Sequence, residues 1–405
     1  MRDKRVRSST LAVVGILVLA IILSACSNAG STSTSSSSTP ATSGNWKQEA
    51  KLLGSGTISN DGFGSSVSIS GDTAVVAAPD HAQQAGAVYV FGKTSHGWTE
   101  TAQLTASDSV PYDMFGTSVV ISGNTIVVGA EYGAADAGRV YVFTRTAQAW
   151  HQTAELKGSD TVTYDQFGSS VAVAGTTIAV GADLRSARAG RVYVFTKRGI
   201  RWVQTAELKA ADGAIYDEFG SSLAMEGHTM IVGAEYHGPE AGSAYVFVES
   251  GGRWRQTAEL KGSDTSTDDY FGYAVAISGG TVVVGAYDHA AGSGRAYVFE
   301  KTPTGFEQAA ELQGTGITAG DYFGSAVAVS GRTVVVGAEF ATDNAGGIYV
   351  FTDTSAGWVQ AASLTGSDTA SNDEFGDSVA ISGDTVLVGA LGHSSKAGSA
   401  YVFAG

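Results

Sequence analysis

Cysteine is nearly absent from these 405 residues. Cys26 is the only one, so no disulfide can close within the chain and the fold must hold through its core alone. Basic residues are also short, with 24 Lys and Arg against 39 Asp and Glu. That balance excludes nucleic acid and anionic lipid as expected partners. The apolar run Leu11–Leu23 has 13 residues, below the ~20 a spanning helix needs. There is no G-x-S-x-G elbow, no H-E-x-x-H and no phosphate loop, so the commonest nucleophilic, zinc-protease and nucleotide chemistries have no foothold. After residue 45 no helical periodicity is found.

The N-terminus is built differently from the rest. Arg2, Lys4, Arg5 and Arg7 precede the Leu11–Leu23 run, which ends in Leu23-Ser24-Ala25-Cys26. This layout predicts a secretory signal over residues 1–25. The last four residues resemble a bacterial lipobox, which implies cleavage before Cys26 and lipid on its thiol. Residues 26–45 then form the lipidated Cys and a Ser/Thr-rich tether, with an end-to-end distance of about 24 Å. The expected location is the cell envelope, on the extracytoplasmic side of a bacterial membrane. Residues 1–25 hold four of the basic residues and one of the acidic, so 20 basic and 38 acidic residues remain, a formal charge of −18.

Residues 46–405 repeat. Phe-Gly recurs at Phe63, Phe115, Phe167, Phe219, Phe271, Phe323 and Phe375, always 52 residues apart. Tyr-Val-Phe keeps the same step from Tyr89 to Tyr401, and all 6 tryptophans occupy one repeated position. Each unit carries four strand signals. The stretch "FGSSVAVA" alternates, as a half-buried strand does, and a short "SG-x-T" turn leads into a continuously apolar "TIAVGA". A strand around "RVYVFT" follows, then Trp-x-Gln-x-Ala-x-Leu with its four side chains on one face.

A 52-residue, four-stranded unit predicts an all-β, seven-bladed β-propeller. The chain opens with a lone fourth strand within residues 46–53 and closes with strands one to three, so the two ends should complete one blade and close the ring.

The phrases "FGSSV", "VVVGA" and "YVF" resemble FG-GAP repeats, the blades of the integrin α-subunit propeller and of many exported bacterial proteins. The resemblance covers residues 46–405. In that family, calcium loops of the type D-x-D-x-D-G often join the first two strands. Here the connection is the tight "SG-x-T" turn, so this calcium site does not carry over.

Up-and-down blades place both long connections on one face, where ligands are expected. Asp61, Asp113, Asp165, Asp217, Asp269, Asp321 and Asp373 each stand two before Phe-Gly. They read either as a ring of oxygen ligands for Ca2+ at the channel mouth or as Asx-type residues that fix each loop. Their presence in every unit favours the structural role. A second acid five residues earlier, at Asp108, Asp160, Asp212, Asp264 and Asp368, suggests a loop pair. His81, His237, His289 and His393 share one offset and, on separate blades, are expected to be solvated. Variation between units points to Tyr112, Tyr132, Tyr164, Tyr216, Tyr236 and Tyr287 as ligand contacts.

These features predict a monomeric, non-enzymatic binding module that recognises a protein or glycan and meets the membrane only through its lipid. The alternatives are a propeller-type glycosidase or lyase using an acidic pair, and a cation-dependent adhesion scaffold.

Overall fold

The computed structural model describes residues 46–147 and 149–405. The signal, Cys26 and the tether expected over residues 1–45 lie outside the described residues. The described chain forms seven sheets of four antiparallel strands. We number the blades 1 to 7 in the order of their Phe-Gly residues, Phe63 to Phe375.

Blade 1 runs outward from the axis as Val67–Ser70, Thr73–Ala78, Ala87–Thr94 and Gly97–Leu104. Its first hairpin closes on the Ser70–Thr73 pair, with Gly71 at φ 55° to match the strand twist. Blade 7 takes Phe375–Ser382, Thr385–Ala390 and Ser399–Ala404 from the C-terminus. Its outer strand is Lys47–Leu52, paired antiparallel with Ser399–Ala404. The ring therefore closes between the two ends of the repeat array, and neither end is left as a bare edge.

Each blade is packed around the same three rings. Phe63 is fully buried, with Tyr89 5.4 Å away and Phe91 6.2 Å away, both edge-on. Burying one such side chain stabilises by about 1.5–3 kcal/mol, and the trio recurs in all seven blades. The glycine of Phe-Gly is forced by close approach. Gly168 sits at φ 102°, and a Cβ there would lie 2.8 Å from the Arg139 carbonyl in the neighbouring blade.

The long loops stitch blade to blade. Tyr112, Met114 and Phe115 donate backbone N–H bonds to Gln83, Gln84 and Ala85 of the preceding blade. Asn60, Gly62 and Phe63 do the same to Ser395, Lys396 and Ala397 across the closure. The acceptor segment is a left-handed turn, with Ala82, Gln83 and Gln84 at φ 54° to 64°. Such runs cost ~1–2 kcal/mol per residue, which the cross-blade bonds offset.

The inner strands line the axis. Val120, Val173, Met225, Ile277, Val329 and Ile381 are among the side chains around a cavity of about 220 Å³. This channel is apolar, unlike its mouth on the long-loop face.

Candidate binding face at the channel mouth

The seven repeated aspartates do not open into the channel. Asp61 is 3% exposed, and its Oδ2 accepts the Ile58 N–H at 2.7 Å. Asp113, Asp165, Asp217, Asp269, Asp321 and Asp373 each accept the N–H three residues earlier, at 2.6–3.0 Å. This is the Asx-type loop geometry, with at least one carboxylate oxygen already engaged in each blade.

The four offset histidines correct the expectation of solvated side chains. His81, His237, His289 and His393 are 11–21% exposed at the side chain, and each Nδ1 lies 2.7–2.9 Å from the Asp Oδ2 of its own blade. The two long loops of a blade lie side by side, so residues 20 apart in sequence meet. The spacing alone hides this.

The channel mouth holds a different set of acids, and they break the repeat. The residue after Gly-Ala is Glu131, Asp183, Glu235 or Glu339 in four blades. Two residues after the phenylalanine the chain has Ser or Thr in five blades but Tyr273 in blade 5 and Asp377 in blade 7. Glu235 is 8% exposed, and burial, with Glu218 and Asp183 nearby, pushes its carboxyl up to about 8. Burial and Asp183 push Glu131 up to about 8 as well. Glu218 rises to about 7 through burial and Asp183, against the Arg188 guanidinium that pairs with it. Asp377 hydrogen-bonds Glu339, and burial raises both above the usual carboxylate range. Four of these acids, Glu131, Asp183, Glu235 and Glu339, directly follow the second strand of their blade, and Asp377 stands on the first strand of blade 7.

Beside them runs an arc of aromatic rings. Tyr236 lies 5.4 Å from Tyr270, Tyr270 5.3 Å from Tyr287 in a stacked pair, Tyr287 5.2 Å from Tyr322, and Tyr322 5.3 Å from Phe340. Tyr273 joins from the channel side, 4.5 Å from Tyr287. Arg188 extends the arc, with its guanidinium 5.6 Å from the Tyr236 ring and 6.0 Å from Tyr216. A cleft of about 380 Å³ opens between Tyr216, Tyr236, Pro239, Glu240 and Asp268.

Of the six tyrosines singled out from the sequence, the fold brings Tyr216, Tyr236 and Tyr287 together. Tyr112 and Tyr164 stand alone on their blades, each 68% exposed, and Tyr132 lies beside Glu131. Arg188, Tyr270, Tyr273, Tyr322 and Phe340 escape sequence reasoning because their columns are scattered: Tyr270 and Tyr322 share the place just before Phe-Gly, Phe340 shares that of Tyr236, and Arg188 and Tyr273 each stand in a column of their own. Comparing the seven units column by column would have flagged Tyr273 and Asp377.

Sequence comparison found no match to a curated protein. Among solved structures, one described as the crystal structure of a mitotic checkpoint complex superimposes with a TM-score of 0.56. It shares 14% identity and covers 88% of this chain and 93% of its own, a likeness of fold alone. The FG-GAP repeat pattern matches seven times, over residues 46–91, 98–143, 150–195, 202–247, 254–299, 306–351 and 358–403. Each match starts on the outer strand of one blade and ends on the third strand of the next, the same phase by which the ring closes. With these repeats filling the whole propeller, the chain belongs to the FG-GAP repeat family.

Proposed function

We propose that this protein is a binding module that holds a glycan against the aromatic arc at the channel mouth. The observation that carries the reading is the unbroken run Tyr236–Tyr270–Tyr287–Tyr322–Phe340, with neighbouring rings 5.2–5.4 Å apart. Sugar rings offer apolar C–H faces that pack on such side chains, and hydroxyls that suit the adjoining carboxyls of Glu235 and Glu339. Glu235, raised to about 8, both donates and accepts near neutral pH, as a hydroxyl-rich ligand requires. The signal-like run before Cys26 supports display outside the cytoplasm on a lipid tether.

A thermal-shift series with soluble glycans tests this. A ligand at 100 times its Kd adds about 2.7 kcal/mol, roughly 3–4 °C for a domain this size. Tyr287→Ala and Tyr270→Ala should abolish the shift while leaving the unliganded Tm within a few degrees. A shift that persists in both variants would place the ligand elsewhere. Capture of a defined protein partner that Tyr287→Ala abolishes, with no glycan effect, would replace the glycan by a protein.

A second reading, a propeller-type glycosidase or lyase, rests on the acids gathered beside the arc, Glu235, Glu339 and Asp377, all raised by burial as a general acid is. Release of reducing ends from a bound glycan, lost in Asp377→Asn, would establish it.

A further inference from the structure

Three sequence columns meet on the outer shoulder of each blade. They are the acid seven residues before the phenylalanine, the residue eighteen after it, and the Glu of the outer strand. Only blades 4 and 5 carry acid, histidine and acid together, as Asp212, His237, Glu259 and Asp264, His289, Glu311. We propose that these two clusters are zinc-class metal sites, one per blade, independent of the glycan face.

In each cluster the ligating atoms lie within 4.8 Å of one another. His237 Nε2 is 3.7 Å from Asp212 Oδ2 and 3.8 Å from Glu259 Oε1, and His289 Nε2 is 3.7 Å from Asp264 Oδ2. The other ring nitrogen is committed. Asp217 and Asp269 hold Nδ1 at 2.8 and 2.9 Å, and since a carboxylate only accepts, Nδ1 carries the hydrogen. In the neutral imidazole Nε2 then turns a lone pair toward two carboxylates, three acceptors with no donor among them. Their separation exceeds a hydrogen bond and is near the roughly 3.3–3.5 Å that 2.0–2.1 Å bonds impose in a tetrahedron. The carboxylate behind the imidazole is the usual support of a metal-bound histidine.

Two sister blades show what this place takes. In blade 3 Arg185 replaces the histidine, with Nη2 2.7 Å from Asp160 Oδ2 and Nη1 3.4 Å from Asp165 Oδ2. In blade 7 Lys51 replaces the outer-strand Glu, with Nζ 2.6 Å from Asp368 Oδ2 and 2.8 Å from His393 Nε2. There the chain supplies its own cation and the ligands close on it. In blades 4 and 5 no Lys or Arg bonds the histidine Nε2 among the described residues. The outer-strand carboxylates are steadied at one oxygen, Glu259 Oε1 by Lys261 and Ser243 and Glu311 Oε1 by Arg295, so a metal would share Oε1 or take Oε2 by rotation of the carboxylate.

Tyr245 is the second sign. Its counterparts Tyr193, Tyr297 and Tyr401 donate to Asp160, Asp264 and Asp368 at 2.8 Å. Tyr245 is fully buried beside Asp212, yet its hydroxyl makes no hydrogen bond of ordinary length and angle among the described residues. A cation that draws Asp212 inward satisfies both. One imidazole and two carboxylates favour zinc over calcium or magnesium, which take oxygen alone, and the exposed edge of Asp212 leaves a fourth position for water.

Equilibrium dialysis of the purified full chain against Zn2+, followed by metal analysis, tests the proposal. About two zinc per chain are expected, one in His237→Gln or His289→Gln, and none in the double variant, with circular dichroism unchanged. Co2+ should give the visible absorption of a four-coordinate site, lost in the same variants. Lys51→Glu removes the resident cation of blade 7 and completes Asp368 and His393, so a third equivalent should appear. Stoichiometry indifferent to the double substitution, or displacement of Zn2+ by equimolar Ca2+, would overturn the proposal.

Discussion

Gln48 and Ser367, 319 residues apart, hold each other through two hydrogen bonds. The Gln48 amide donates to Ser367 Oγ at 3.1 Å and accepts the Ser367 N–H at 2.8 Å. Gln204 and Ser159 form the same clasp at 3.0 and 2.9 Å, only 45 residues apart. One clasp closes the ring and the other lies inside it, but in the folded state they are equivalent. Each bond contributes about 0.5–1.5 kcal/mol. Gln48→Ala and Gln204→Ala should therefore each cost about 1–2 kcal/mol in denaturant unfolding. A Gln48→Ala cost near zero beside a normal Gln204→Ala cost would show that the ring is open at blade 7 in solution.

Gly190 and Gly199 separate crowding from backbone preference. Both have positive φ, 76° and 62°. A Cβ on Gly190 would meet the Phe219 carbonyl at 2.0 Å, whereas one on Gly199 meets nothing within 4 Å. Gly199→Ala should cost about 1 kcal/mol, from φ alone. Gly190→Ala must push two blades apart, and should cost more than about 3 kcal/mol or prevent folding. Equal melting temperatures for the two variants would contradict the blade contact.

The buried acids make stability depend on pH. For Glu235 the folded pKa, about 8, lies above the unfolded value near 4.5, so the native state binds the extra proton between them. Its protonated form is accommodated without penalty below the unfolded pKa, and stability falls as pH rises toward about 8. Glu131 acts in the same window and Glu218 up to about 7. Glu235→Gln should leave the Tm at pH 5 unchanged and raise it at pH 8.5, by an amount on the order of 1–3 kcal/mol. A variant that gains equally at both pH values would place the effect in packing instead.

Asp165 tests the repeated loop aspartates. Its Oδ2 accepts the Val162 N–H at 2.7 Å and faces Arg185 at 3.4 Å. Asp165→Ala strands a backbone donor and loosens the guanidinium, at a cost of about 1–3 kcal/mol. Calcium and chelator should leave the wild-type Tm unmoved at this position. A calcium-dependent Tm that Asp165→Ala abolishes would instead make the aspartate a ligand.

Much of the architecture was legible in the repeat. The 52-residue step of Phe-Gly sets seven blades, and a lone outer strand at Lys47–Leu52 sets closure. These features follow from short-range alternation and turn chemistry, which every unit states again, and from core rings such as Phe63, Tyr89 and Phe91 that pack mostly within their own unit. The functional face was not legible in the same way. Tyr270 and Tyr322 share one offset, a full repeat apart, while Tyr287 stands at another, and ring curvature alone brings the three within stacking distance. His237 and Asp212 are 25 residues apart, on loops that meet only when the blade is formed. The raised carboxyls at Glu235 and Asp377 depend on burial around the axis, a radial position that a linear period does not encode. Sequence by itself determined the blade, its number and its closure, because local patterning is enough to form and count strands. Tertiary structure decided which side chains from different blades share the axis, because that proximity exists only once the ring has closed.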